Sequence, residues 1–321
     1  MVPERLQLAR TLFKLRIYES NGYSFENLFA SVMQYARPDL MKVKPYGNQG
    51  DRGNDAYEKE HGRYFQMYAP EDPSSSQQKA IAKVQKDFEA KLLPYWGAFC
   101  PVKEYLFVFN DKYSGTNFPL EKTLAEIKSK HSLKVAEVFL AKHLEQEFVS
   151  LSEDQILMVI SGVPDPASLE NLDYSIVGEV LRHIQNLTLS YVESGKLVVP
   201  NVEDKIEFNG LKVFGQWMQI KQRETWQIDE YFVRNSDFAR ATLRDYLSAY
   251  YAESIVRFPT DSEILQTELG DLRFAFILDR IAPETGVAAH DRARRDVALV
   301  IMAKYFETCD IFEEPTNVTT G

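Results

Sequence analysis

The spacing of apolar residues changes near residue 150, and this change limits the folds open to the 321-residue chain. Before that point, helical patterns alternate with short strand-like runs, of which YLFVF at Tyr105 to Phe109 is the clearest. A near-continuous apolar run of this length is typical of a buried strand. After that point, apolar residues recur at helical spacing as far as residue 306. The pattern predicts an α/β domain over residues 1–148 and an α-helical domain over residues 149–321.

The same spacing predicts the individual elements of both domains. In the α/β domain we expect strands at residues 40–43, 55–57, 64–69, 105–109 and 135–140, and helices at residues 6–18, 24–36, 75–93 and 120–130. Ser24 is the expected N-cap of its helix. In the second domain we expect helices at residues 153–160, 176–187, 206–220, 237–251, 262–278 and 291–306.

Charge is distributed unevenly along the chain. The net charge is −10, which argues against a protein that binds nucleic acid with its whole surface. Residues 1–120 carry 16 Lys and Arg against 14 Asp and Glu, whereas the rest carries 21 against 33. The first domain can therefore touch phosphate locally, while the acidic second domain suits docking onto protein. This acidity also counts against a helix-turn-helix transcriptional regulator, which needs a basic recognition helix.

Cysteine usage and hydropathy indicate the compartment. Cys100 and Cys309 are the only cysteines, and two lone thiols far apart in the chain indicate a reducing cytoplasm. The five histidines are scattered, so neither their spacing nor their neighbours predict a zinc site. No window approaches the roughly 18 consecutive apolar residues of a membrane span, and the first residues lack the apolar core of a signal peptide. We therefore expect a cytoplasmic protein without membrane contact.

The segment GDRGNDAYEKEHGRYFQMYAPE, Gly50 to Glu71, is the part of the sequence that most favours chemistry. Turn-forming residues lead to Asp55 at the start of one strand, and Gln66 lies on the next strand, across a hairpin. Because side chains alternate along a strand, Tyr64, Gln66 and Tyr68 share a face. A glutamine between two aromatic residues, beside Asp55, indicates the wall of a site rather than the wall of a core.

This arrangement resembles the PD-(D/E)XK nuclease superfamily, and its Mrr-like branch in particular. That branch has a glycine-rich loop, an Asp, a hairpin and a Gln-x-Lys strand. An acidic residue on the preceding helix completes the set, and Glu26 in SFENLF occupies that place. The resemblance implies a restriction-endonuclease-like fold and metal-dependent hydrolysis of DNA. It further implies that Glu26 and Asp55 bind Mg²⁺ or Mn²⁺, and that Gln66 adds a backbone or side-chain contact.

The sequence departs from the superfamily at the strand lysine, where Tyr68 stands instead. A phenol cannot supply positive charge near the attacking water. One interpretation is that Lys79 or Lys83, on the next helix, takes over this role; the other is that the domain no longer cleaves DNA. Helical spacing places Lys79, Lys83 and Lys86 opposite the apolar face, which also fits a solvated, phosphate-facing stripe.

Longer runs resemble the effector proteins of three-component ABC-ATPase conflict systems and their Lamassu-like relatives. These runs are YFQMYAPED, KAIAKVQKDFE and YLFVFNDKYSG in the first domain, and PNVEDKIEFNGL and ETCDIFEEP in the second. The resemblance implies an effector of antiphage or antiplasmid defence. It also implies two partners, an SMC-like or Rad50-like ABC ATPase and a small middle subunit. Assembly into a homo-oligomer stays open.

Each predicted site residue also has a purely structural interpretation. Glu26 could complement the dipole of its helix, Asp55 could bond its own backbone in a turn, and Gln66 could be a half-buried polar residue of an edge strand. On that view, the domain is a catalytically inactive adaptor that keeps the nuclease fold in order to bind DNA or a partner protein.

Overall fold

The computed structural model describes residues 1–47, 50–165, 171–186, 202–235, 240–261, 264, 266–307 and 311–313. The chain divides into two compact units: one is Arg16–Val159, and the other combines Met1–Leu15 with Ile160–Gly321. The first unit contains a five-stranded sheet, whereas the described elements of the second are all helices, so the predicted mixed α/β class is confirmed. The predicted domain boundary between residues 148 and 149 stays a prediction.

The first unit is organised around one sheet. Its strands are β1 (Leu40–Lys42), β2 (Ala56–Glu58), β3 (Arg63–Tyr68), β4 (Glu104–Phe109) and β5 (Val135–Leu140). They lie in the order β1-β2-β3-β4-β5. The first three strands pair antiparallel, and β3, β4 and β5 pair parallel. Each strand lies within two residues of its predicted range.

Helices cover both faces of this sheet. The helices of this unit are the end of α1 (Pro3–Glu19), from Arg16 onward, and α2 (Gly22–Ala36), α3 (Gln77–Asp87), α4 (Leu93–Phe99), α5 (Phe118–Lys130), α6 (Ala141–Val149) and α7 (Glu153–Val159). On one face Phe29 of α2 packs against Phe65, with ring centroids 5.5 Å apart. On the other face α3 and α5 close over a core that contains Tyr64 and Tyr105. Tyr64, Gln66 and Tyr68 share a face, as predicted, but this face packs against the core, so the expectation that it forms the wall of a site rather than of a core is wrong.

Two details of the helices differ from the sequence predictions. Ser24 is not the N-cap of α2; Asn21 is, and the Ser24 hydroxyl accepts a hydrogen bond from the Asn21 backbone N–H at 2.9 Å. The helix predicted at residues 75–93 continues through a π-helical turn, Phe88–Leu92, into α4. Proline at the start of α4 has no N–H to donate, and the wider turn accommodates that missing donor.

The second unit contains seven described helices besides the start of α1. They are α8 (Tyr174–Gln185), α9 (Val202–Phe208), α10 (Phe214–Lys221), α11 (Trp226–Arg234), α12 (Arg240–Arg257), α13 (Gln266–Ile281) and α14 (Ala288–Glu307). The single helix predicted at residues 206–220 is wrong, because Asn209 and Gly210 break it into α9 and α10. Gly210 has a φ of +65°. This left-handed conformation is common where a helix ends and is adopted most readily by glycine. In the described part of the chain, no helix has the length and apolar character needed to cross a bilayer.

Some predicted features lie outside the described residues. They are Cys309, parts of the helices predicted at residues 176–187, 237–251 and 262–278, and parts of the runs PNVEDKIEFNGL and ETCDIFEEP.

Candidate active site

Asp55 lies immediately before β2 and is fastened to β3 by its own backbone and side chain. Its backbone N–H donates to the Phe65 carbonyl at 3.0 Å. Its Oδ2 accepts from the Met67 backbone N–H at 2.5 Å. These bonds fix the carboxylate at the start of β2, an interior strand, so the sheet itself positions Asp55.

Two other predicted residues contribute to the electrostatic surroundings of Asp55. The pKa of Asp55 is raised to about 7, chiefly by burial; the charges of Asp51 and Glu26 add to the rise, while the Met67 bond and the Lys83 ammonium lower the pKa. Glu26, half-buried on α2, and Lys83, on α3, therefore both act on this carboxylate. Carboxylates crowded in this way repel one another, and a divalent cation relieves that repulsion.

Gln66 is fully buried, and both ends of its side chain are bound. Its Nε2 donates to Oδ2 of Asp87 at 3.1 Å. Its Oε1 accepts a hydrogen bond from the Tyr105 hydroxyl. The side chain thus links β3 to β4 and α3, so a metal contact from Gln66 would have to come from its backbone.

Asp87 is a member of the site that the sequence analysis missed. Its carboxylate lies 2.6 Å from Nζ of Lys91 and 3.3 Å from Nζ of Lys83. Burial alone would raise its pKa, but the two ammonium groups hold the pKa of Asp87 below its ordinary value. The three residues recur at intervals of four along one helical stretch, and this Lys-x3-Asp-x3-Lys spacing was the available signal.

Gly53 explains how the loop before Asp55 approaches α3. Its φ is +75°, a conformation that favours glycine, and a Cβ there would lie 3.3 Å from both the Cβ and the carbonyl oxygen of Asp87. The Trp96 indole N–H donates to the Asp51 carbonyl at 2.9 Å and anchors the loop from α4. The glycine-rich loop therefore serves to bring its two acids close to the helix that carries Lys83.

Asn54, next to Asp55, has a buried side-chain amide that forms no hydrogen bond among the described residues. Its side chain is fully buried, and neither its amide nitrogen nor its amide oxygen has a hydrogen-bond partner among the described residues. Unpaired buried polar atoms are costly, so this site is suited to an additional polar occupant such as a hydrated ion.

The two remaining sequence candidates lie apart from this cluster. Lys79 is exposed on the first turn of α3, and the described residues include no ion pair to it. Tyr68 stacks on Phe109, with ring centroids 6.0 Å apart and an interplanar angle of 13°. The position of the superfamily's strand lysine is therefore part of an aromatic stack, and Lys83 is the one of the two proposed substitutes that the fold brings near Asp55.

Comparison with known families gives one match, within the second unit. Residues 175–313 match the family model of C-terminal domain 10 of the ABC-three component (ABC-3C) systems. Neither the curated proteins nor the solved structures include a significant match to the chain. The match supports the predicted membership in a three-component ABC system. The Mrr-like identity of the first unit stays a prediction.

Proposed function

We propose that this chain is the effector of an ABC-3C defence system and that its α/β unit is a metal-dependent DNA endonuclease. The domain match at residues 175–313 supports a place in such a system. The observation that carries the enzymatic proposal is the carboxylate of Asp55, which β3 holds at the start of β2 and whose pKa is influenced by the charges of Glu26 and Lys83. Its partners would be an SMC-like or Rad50-like ABC ATPase and a small middle subunit, as the resemblance implies.

The residues around Asp55 suit a hard divalent cation. Glu26 and Asp55 would hold Mg²⁺ or Mn²⁺ through carboxylate oxygens, the ligands these ions prefer. When bound, such a cation activates water and offsets negative charge on the leaving oxygen in phosphodiester hydrolysis. The unpaired amide of Asn54 fits a hydrated ion at this place.

Lys83 would supply the positive charge that the strand lacks. Its ammonium lies 3.3 Å from Asp87, whose carboxylate is held in turn by Gln66. Asp87 and Gln66 are then positioning residues, because they act through the lysine. This network ties the lysine to β3, the strand whose backbone also holds Asp55.

A pair of lysine variants tests this assignment. Lys83→Ala should lower the rate of Mn²⁺-dependent plasmid nicking by about 10- to 100-fold, the usual effect of removing a group that supports a metal site. Lys79→Ala is the matched control on the same helix and should leave the rate unchanged. The assay uses the chain purified alone and with its genomic neighbours. Equal rates for the two variants would contradict the role of Lys83.

The raised pKa of Asp55 predicts a pH-dependent affinity for the metal. A proton and a cation compete for one carboxylate, so below pH 7 the Kd for Mn²⁺ should rise about tenfold per pH unit. The protonation of Asp55 also affects the free energy of unfolding. Its pKa in the folded chain, about 7, lies above the ordinary 3.8, so the folded chain holds the extra proton between these values. Stability contributed by Asp55 is therefore lost as the pH rises toward 7.

Calorimetric Mn²⁺ titrations and urea unfolding at pH 5, 6, 7 and 8 measure both effects. The unfolding free energy of wild type should fall relative to that of Asp55→Asn as the pH rises. Parallel pH profiles for the two proteins would contradict the shifted pKa.

The second candidate function is an adaptor without catalysis. One observation favours it: the ammonium groups of Lys83 and Lys91 are both paired with Asp87, while the partly buried Tyr68 stacks on Phe109. An adaptor of this kind would bind DNA or the partner proteins without cutting. DNA binding that is independent of divalent metal, together with no nicking by the assembled complex, would favour the adaptor.

A further inference from the structure

A second group of metal-ligating side chains lies at the other end of β2. Asp39 precedes β1, Glu58 ends β2, and His61 lies in the turn that leads to β3. One potential ligand atom of each residue lies within 4.8 Å of those of the other two. Pairing of β1 with β2 places Leu40 opposite Glu58, which brings Asp39 beside the turn. The fold thus gathers residues that the spacing of the histidines did not connect.

Glu58 provides an independent sign that this group has room for a ligand. Its side chain is 1% exposed, and its Oε2 accepts from Nη1 of Arg63 at 2.8 Å. Its Oε1 has no hydrogen-bond partner among the described residues. Nε of Arg37 lies 3.7 Å from that oxygen, too far for a hydrogen bond. A buried carboxylate oxygen without a partner is costly, and a bound cation would remove that cost.

The charged groups around Glu58 also carry a net negative charge that a cation could balance. Arg37 and Arg63 each pair with a further carboxylate, at 2.8 Å and 2.6 Å respectively. The ion-paired group therefore contains two guanidiniums and four carboxylates, which belong to Asp39, Glu58, Glu104 and Glu147. Two negative charges remain uncompensated when the imidazole is neutral. One divalent cation balances them.

We propose that Asp39, Glu58 and His61 form a binding site for Zn²⁺ or a similar transition-metal cation. An imidazole combined with two carboxylates suits Zn²⁺, whereas Mg²⁺ prefers an all-oxygen shell. Zinc bonds of about 2.0–2.2 Å require the ligand atoms to move closer together. Asp39 and His61, whose side chains are 40% and 57% exposed, can make that movement by rotation. Three protein ligands leave the fourth position to water, and the ion fastens the outer hairpin to the turn.

The test is calorimetric titration of ZnCl₂ into the untagged, full-length Asp55→Asn protein, so that the site proposed for catalysis does not contribute. We expect one bound Zn²⁺ per chain and a shift of the His61 imidazole resonances in the NMR spectrum. His61→Ala should weaken the affinity by about tenfold or more. Glu60→Gln, an exposed acid in the same turn, is the matched control and should bind zinc like the parent.

A third variant separates this site from a simple ion-pair cluster. Arg37→Gln removes the guanidinium that competes for Oε1 of Glu58, so it should bind Zn²⁺ more tightly than the parent. Weaker binding by Arg37→Gln would remove Glu58 from the ligand set and overturn the proposal. Absence of binding to the Asp55→Asn protein, or equal affinities of the His61→Ala and Glu60→Gln variants, would also overturn it.

Discussion

Asp55→Asn should abolish metal-dependent DNA nicking by this chain and its complex, with a loss of about 1,000-fold in rate. The carboxylate is the predicted metal ligand that the sheet holds most firmly, through the Phe65 and Met67 backbone bonds. Losing a ligand that the cation depends on removes several kcal/mol of transition-state stabilisation, and each factor of ten in rate corresponds to about 1.4 kcal/mol. Rates of supercoil loss with Mn²⁺ or Mg²⁺ give the comparison.

The Asp55→Asn variant also distinguishes a loss of catalytic activity from a loss of folding stability. Its side-chain oxygen can still accept the Met67 N–H, and it carries no charge to bury. Its unfolding free energy at pH 8 should therefore equal or exceed that of wild type. Glu60→Gln, an exposed acid of the next turn, serves as the control and should nick at the wild-type rate. Nicking by Asp55→Asn at the wild-type rate would remove this residue from the mechanism.

Gly270→Ala should destabilise the helical unit by about 3 kcal/mol, at the upper end of what overpacking usually costs. Gly270 lies within α13, where a Cβ would stand 1.9 Å from the Asn209 carbonyl oxygen and 3.1 Å from its carbon. Both atoms belong to the backbone of the segment between α9 and α10. A backbone cannot rotate away from a new methyl group as a flexible side chain can. Urea unfolding measures the loss, and hydrogen exchange should locate it in residues 202–307.

Gly97→Ala is the matched control for this prediction. Gly97 is also helical, but a Cβ there would meet its nearest heavy atoms at 3.5 and 3.6 Å, which is ordinary contact. Because alanine favours helix more than glycine does, this variant should be as stable as wild type or up to about 1 kcal/mol more stable. A Gly270→Ala protein with wild-type stability would show that α13 can move away from the Asn209 backbone.

Strands β4 and β5 could be predicted from the sequence because they are short, largely apolar runs. β5 has the predicted bounds, 135–140, and β4 begins one residue early at Glu104. Buried strands of this kind carry their own signal, since β-branched and aromatic residues are concentrated in them. By contrast, α6 was missed because it follows β5 without any turn residue. Its start is stabilised instead by His143, whose Nδ1 accepts from the Leu140 N–H at 3.0 Å.

Only some residues of the candidate site could be predicted from the sequence. Asp55 and Gln66 are separated by one hairpin, so local spacing was enough to connect them. Asp87 joins the site through a close approach of Gly53 to α3, which depends on tertiary packing. His61, Glu58 and Asp39 are likewise joined by strand pairing rather than by a motif. Local patterns therefore identified the strands, while the partners of each charge depended on which elements pack together.

On the proposed mechanism, the carboxylates of Glu26 and Asp55 bind a catalytic divalent cation. The most direct measurement is a Mn²⁺ titration of the His61→Ala protein, followed by the electron paramagnetic resonance signal of free Mn²⁺, with and without Asp55→Asn. We expect one Mn²⁺ bound per His61→Ala chain and a loss of that binding in the His61→Ala, Asp55→Asn double variant. Equal Mn²⁺ binding by the two proteins would contradict this mechanism.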